Sequence, residues 1–282
     1  MRVLANGMTL DEFHSFVDSL PTPSTTVRLD EWTKYRDILK KLSDQAADEF
    51  REAVWNVNGK WQGVGLGKIP RDEIVDYAYA LVTKYSEGAS AAACVYYDEL
   101  AAISKANVPP AVPAKSADIK TVAKAVNLTD DTDQVANALG RLVKRAGQDT
   151  TLRNAIRDGA QVAWIPNGDT CAFCLALASR GWEYAGKVAL KKGHAEHIHS
   201  NCDCAYGVRF TERTKYEGYE PKDYKRLYDS QPGTPEEKIN AMRREAYQEN
   251  KEKINEQKRS AYAKRKEREA SKAEEINVDN LD

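Results

Sequence analysis

Between Cys171 and Cys204 this chain gathers four of its five cysteines and three of its four histidines, in the order Cys171-Ala-Phe-Cys174, His194, His197, His199, Cys202-Asp-Cys204. A Cys-x-x-Cys pair sets two thiolates on one tight turn, where both can face one ion. A second cluster further along supplies the remaining tetrahedral corners, the layout of a closed structural metal site. Zinc is the expected cofactor, because thiolate and imidazole together are its usual ligand set. Five residues compete for four corners: Cys171, Cys174, His199, Cys202 and Cys204. The expected set is both Cys-x-x-Cys thiolates, His199, and one or both of Cys202 and Cys204. His194 and His197 are then solvated or outside the ligand shell, and no residue is catalytic.

Enzymatic readings of the same residues fit less well. His194-Ala-Glu196 matches the His-x-Glu element of zinc deaminases, but that element precedes the Cys-x-x-Cys pair in the deaminase signature and follows it here, with Thr170 in place of the proline. A metal-dependent nuclease would draw its catalytic groups from His197, His199 and Asn201. A catalytic zinc keeps an open position, whereas five closely spaced candidates favour a closed one. A thioredoxin-like role lacks the βαβ context it needs.

The apolar content of 41% suffices for a real core in a chain of 282 residues. With 42 basic and 43 acidic side chains the formal charge is −1, so affinity for nucleic acid or an anionic surface must come from local clustering. The first residues, Met1 to Met8, carry no apolar stretch of signal-peptide length, and no run approaches the ~20 apolar residues that span a bilayer. The expectation is a protein made in the cytoplasm without membrane attachment, where paired cysteines are metal ligands more often than disulfides. Cys94, within Ala-Ala-Ala-Cys-Val-Tyr-Tyr, reads as a small apolar core residue.

The elements that must carry the cluster are mostly helical. Thr9-Leu-Asp-Glu12 is a capping box opening a short helix that ends at Leu20-Pro-Thr-Pro23. From about Asp30, the spacing of Trp32, Leu39, Leu42, Ala46, Phe50 and Val54 predicts a longer helix ending near Asn56. The glycine-rich run Gly59 to Lys68 fails as a phosphate loop, since Gln62 stands where its first glycine belongs and Ile69 where its hydroxyl belongs, and reads as a flexible connection. A third helix starts at Pro70 and runs to about Ser104, with Ile74, Ala78, Leu81, Tyr85, Ala92, Tyr96, Leu100 and Ile103 facing inward. Asn107-Val-Pro-Pro-Ala-Val-Pro113 is extended by composition and marks a boundary. Helical segments follow at about 117–126, 131–146 and 149–159. Gln161 to Pro166 and Ala205 to Phe210 have strand composition, and pairing them would bring the two halves of the cysteine cluster together.

Thr234-Pro-Glu-Glu237, a capping box with proline at the first helical position, opens a charged stretch to about Glu275 whose apolar residues are too sparse to bury a face. It reads as a solvated helix or a partly disordered arm. Its basic residues Lys258, Arg259, Lys264, Arg265, Lys266 and Arg268 are candidates for contact with DNA or an acidic partner, set against plain solubility. The fold class expected is α+β, predominantly helical. Its parts are a long-helix region over 1–106, a proline-rich linker at 107–116, a small α+β unit with the metal site over 117–230, and a charged tail over 231–282. The core of the α+β unit falls at 150–210.

Asp169-Thr-Cys171-Ala-Phe-Cys174-Leu-Ala-Leu-Ala-Ser-Arg-Gly181, then Tyr184, then His199-Ser-Asn-Cys202-Asp-Cys204, together resemble the MuF-type minor capsid, or head morphogenesis, proteins of tailed bacteriophages. The helical stretch ending in Ala-Cys-Val-Tyr-Tyr-Asp-Glu-Leu100 resembles the minor capsid branch found in phages of Gram-positive hosts. By that resemblance Cys171, Cys174, His199, Cys202 and Cys204 occupy the motif positions, and Arg180, Gly181 and Tyr184 match its Ser-Arg-Gly-x-x-Tyr continuation. Asp169, Arg180 and Tyr184 become candidates for recognition or for support of the metal ligands. The chain departs from the family pattern at Ile198, Ser200 and Asp203, where many members carry proline or a basic residue. Some relatives carry a toxin or enzyme domain downstream, and the composition after Phe210 does not build one. The resemblance implies a low-copy virion component inside the head or near the portal, with portal, scaffold or major capsid proteins as partners and packaged DNA as a partner of the basic arm.

Overall fold

The computed structural model describes residues 26–167, 171–186, 202, 204–249 and, further on, 251–253, 255, 256, 258–260, 262, 263 and 266. The expected helix at Thr9 to Leu20 lies outside the described residues.

Three long helices make the first layer: α1 (Leu29–Trp55), α2 (Arg71–Ile103) and α4 (Thr132–Asp158). Helix α1 covers the stretch that its apolar period predicts, and its Trp32, Leu39, Ala46, Phe50 and Val54 are all buried. The short α3 (Ile119–Val126) packs on α2 and α4. Both α3 and α4 start at aspartate caps: Asp118 accepts from Thr121 N–H at 2.8 Å, and Asp131 accepts from Asp133 and Gln134 N–H. Helix α4 ends at Gly159, whose positive φ of 65° is the usual glycine stop.

Four findings differ from the expectations. The break expected between 146 and 149 is absent, and α4 runs through it. Gly140 and Gly147 lie in its interior because α1 passes too close for a side chain: a Cβ at 147 would stand 2.6 Å from Leu39 Cδ2. The stretch from 59 to 68 is packed rather than flexible, holding a 3-10 turn at Leu66–Lys68, with Trp61, Leu66 and Ile69 buried beside Phe50, Ile74 and Val126. Ile103, expected to face inward, is 47% exposed in the last turn of α2. Cys94 is only half-buried.

Residues 107 to 116 form neither helix nor strand, and side chains of α2 and α4 hold them. Arg157 donates to Pro109 O and Pro110 O at 2.8 and 3.0 Å. Asp98 accepts from Ala111 N–H, and the Asn154 amide pairs with both the N–H and the C=O of Val112 at 2.9 Å. Prolines leave carbonyls without neighbouring donors, so side chains of the helices answer them. Helices on both sides of this strap share one core with the sheet.

That sheet is β3-β2-β4, formed by Glu183–Tyr184, Gln161–Ile165 and Ala205–Arg209, all antiparallel. The two segments read as strands pair over their full length, from Gln161 with Arg209 to Ile165 with Ala205. Helix α5 (Ala172–Ala178) packs on β2. A parallel two-residue pair joins β1 (Thr26–Val27) to β5 (Lys215–Tyr216). Around it Trp32, Tyr35, Tyr96 and Tyr216 form an aromatic cluster, with Tyr35 and Tyr96 stacked at 4.2 Å and the Tyr96 and Tyr216 hydroxyls 2.6 Å apart.

Helix α6 (Pro221–Asp229), which the charged composition of its segment conceals, and α7 (Pro235–Glu249) both pack against α5. The capping box at the start of α7 is formed: Glu237 accepts from Thr234 N–H at 2.7 Å and Thr234 Oγ1 accepts from Glu237 N–H at 3.4 Å. Sparse as its apolar residues are, α7 buries Met242, which is 4% exposed. The fold is α+β and predominantly helical.

Candidate metal centre

Cys171 is the N-cap of α5 and Cys174 lies one turn in, so the Cys-x-x-Cys pair straddles a helix start. Cys202 and Cys204 lead into β4. Because Ala205 is registered with Ile165, Cys204 arrives beside the end of β2.

The three thiols of Cys174, Cys202 and Cys204 lie within 4.8 Å of one another, and all three residues are buried. Cys174 Sγ and Cys202 Sγ are 3.5 Å apart. Four thiolates at Zn–S ≈ 2.3 Å in a tetrahedron stand about 3.8 Å apart, so the cluster has the spacing that such an ion needs. Cys171, half-buried, interacts with Cys174 but is not one of the three mutually close thiols.

Crowding sets the ionisation of the thiols. Contacts with Cys171, Cys202 and Cys204, followed by burial, push the Cys174 thiol far above its ordinary value. Cys204 is pulled down by Cys174 but pushed up by Cys202 and by burial, to about 12. The Asn167 N–H donates to its sulfur and favours the thiolate. Without a cation, burying several thiolates together is prohibitive; a divalent ion removes that cost and displaces the protons. The donor set therefore fits a soft or borderline metal.

His199, the expected imidazole ligand, lies outside the described residues, as do His194, His197 and Asp169. Arg180 follows α5 and is exposed, its charge felt by Tyr206. Gly181 takes φ 70° there, so the Ser-Arg-Gly run ends the helix. Tyr184, in β3, is 72% exposed. Of the basic residues in the arm, Lys258, Arg259 and Lys266 are exposed, while Lys264, Arg265 and Arg268 fall outside the described residues.

Helix α4 also contributes to the centre. Its Lys144 is 3% exposed and donates through Nζ to the Cys202 carbonyl. One turn on, Gln148, 1% exposed, accepts from Tyr206 N–H at 3.1 Å. No local pattern marks either residue, since both belong to a helix that carries no cysteine.

Among the described residues no helix is long and apolar enough to cross a membrane. No curated protein and no solved structure matches this chain. A family model does: residues 26–231 match that of the VG15 protein. The matched stretch begins at β1 and ends just past α6, taking in the helical layer, the strap, the sheet and all four thiols, and the chain accordingly belongs to the VG15 protein family, a family of phage proteins.

Proposed function

We propose that this chain is a minor capsid, or head morphogenesis, protein of a tailed phage, a low-copy structural component of the head whose α+β unit is closed by one structural zinc. The observation that carries the reading is the enclosure of the thiols in a phage-family fold. Cys174, Cys202 and Cys204 are at most 5% exposed, whereas a catalytic zinc needs a position open to water and substrate. On this reading these three residues hold the ion with Cys171 or His199 as the fourth ligand. When bound, zinc supplies a cross-link and no reaction. Structural zinc contributes ~10 to 16 kcal/mol in small peptides at neutral pH.

The partners in this proposal are the portal, scaffold or major capsid proteins, met through exposed groups such as Arg180 and Tyr184. Packaged DNA is met through Lys258, Arg259, Lys266 and their basic neighbours in the arm, in the capsid interior or at the portal.

Elemental analysis of the purified chain, paired with thermal unfolding with and without a strong chelator and a plasmid-cleavage assay, tests the centre. One zinc per chain, a large loss of stability on stripping and no cleavage are expected. A fold that survives chelation while a metal-dependent cleavage disappears would overturn the structural role in favour of a zinc-dependent nuclease. Quantitation of the chain in purified heads of the encoding phage tests the role in the particle. A few copies per head are expected, and absence from heads refutes it.

A further inference from the structure

We infer that Lys144 and Gln148 of α4 are positioning residues for the thiol centre. This rests on reading the cluster as a metal site. The two contacts bracket Cys204: Lys144 holds the carbonyl of Cys202, and Gln148 holds the N–H of Tyr206. A helix of the first layer thereby grips the ligand turn from both sides while contributing no ligand.

The donor on Cys202 orients the turn before the ion arrives, so less ordering is left to binding.

The test is a zinc competition titration against a chromophoric chelator, with cobalt(II) spectra and far-UV circular dichroism on the same full-length chains. Lys144→Met is expected to bind zinc ~10- to 100-fold more weakly, the range usual for loss of a group that supports metal ligands. Its cobalt–thiolate charge-transfer bands and helix content are retained, because the ligands are unchanged. Lys144→Arg, which keeps a cationic donor, recovers affinity to within about threefold, and Gln148→Leu weakens binding in the same direction as Lys144→Met. The control is Leu139→Ala, a buried α4 change in the separate core cluster around Phe50 and Ile74, which lowers stability while leaving zinc affinity within about threefold. Wild-type affinity in both Lys144→Met and Gln148→Leu overturns the inference and spares the metal site. Equal weakening by Leu139→Ala also overturns it, assigning the effect to general stability. A wild-type chain that takes up no zinc removes the metal-site reading and this inference together. Should Lys144→Met fail to fold, Gln148→Leu and Lys144→Arg decide on the same titration.

Discussion

Two helix glycines give opposite expectations from one substitution. A methyl group at Gly140 in α4 would stand 2.9 Å from both the carbonyl oxygen and the hydroxyl of Ser43 in α1. That hydroxyl already donates to Gly140 O at 2.9 Å, so neither helix can yield without losing the bond between them. At Gly88 in α2 the same methyl would meet only Leu42 Cδ1 and Cδ2, at 3.4 and 3.5 Å, which is ordinary contact. Replacing glycine by alanine in a helix interior gains ~1 kcal/mol, and overpacking a tight contact costs ~1 to 3 kcal/mol. Gly88→Ala should therefore stabilise by up to ~1 kcal/mol, and Gly140→Ala should lose up to ~2 kcal/mol net. Urea denaturation followed by far-UV circular dichroism, with equal slopes required, measures the gap between the two variants. Gly140→Ala matching or exceeding the stability of Gly88→Ala would refute the close approach of α1 and α4. Since Lys144 lies one turn beyond Gly140, the same spacing sets how far α4 can reach towards the cysteine turn.

Asn154→Ala removes both hydrogen bonds to Val112 and should cost ~1 to 3 kcal/mol, with faster proteolytic cutting in residues 107–116 as the separate readout. Asp158, whose side chain is 2% exposed, is pushed up by burial, but hydrogen bonds from Arg157 and Tyr97 more than offset this and hold its carboxyl below the ordinary value. A depressed folded value means stability that is present above the unfolded carboxylate range and lost as pH falls through the folded value. Asp158→Asn should thus be less stable than wild type at neutral pH, with the difference vanishing in acid denaturation curves; a difference that persists unchanged at low pH would exclude the charge as its source.

Much of the architecture was legible because its signals are local. The stripe from Trp32 to Val54, the capping box at Thr234 and the strand composition of residues 161–166 and 205–210 each depend on neighbours in sequence, and each element forms where expected. The grouping of Cys174, Cys202 and Cys204 followed once those strands paired. What stayed hidden depends on distant partners. Gly147 looks like a helix break until Leu39 is seen against it. Trp61 and Leu66 sit in a glycine-rich run that offers no hint of the pocket burying them. Lys144 has the pattern of a solvated helical residue, and only the docking of β4 against α4 makes it part of the centre.

The pairing of β1 with β5 has a mechanical consequence. Thr26 and Lys215 are partners although they stand near opposite ends of the family-matched region, so this ladder closes a loop spanning most of that region and should form late. Its strands are parallel, so the chain leaves β1 at Thr26 and β5 at Tyr216 from opposite ends of the ladder. Tension applied through the two chain ends, once α6 and α7 have peeled away, would then pull along the strands rather than across them. The ladder bonds, the added bond from Glu217 N–H to Val27 O and the Tyr96–Tyr216 hydroxyl contact would share that load and fail together as a shear clasp.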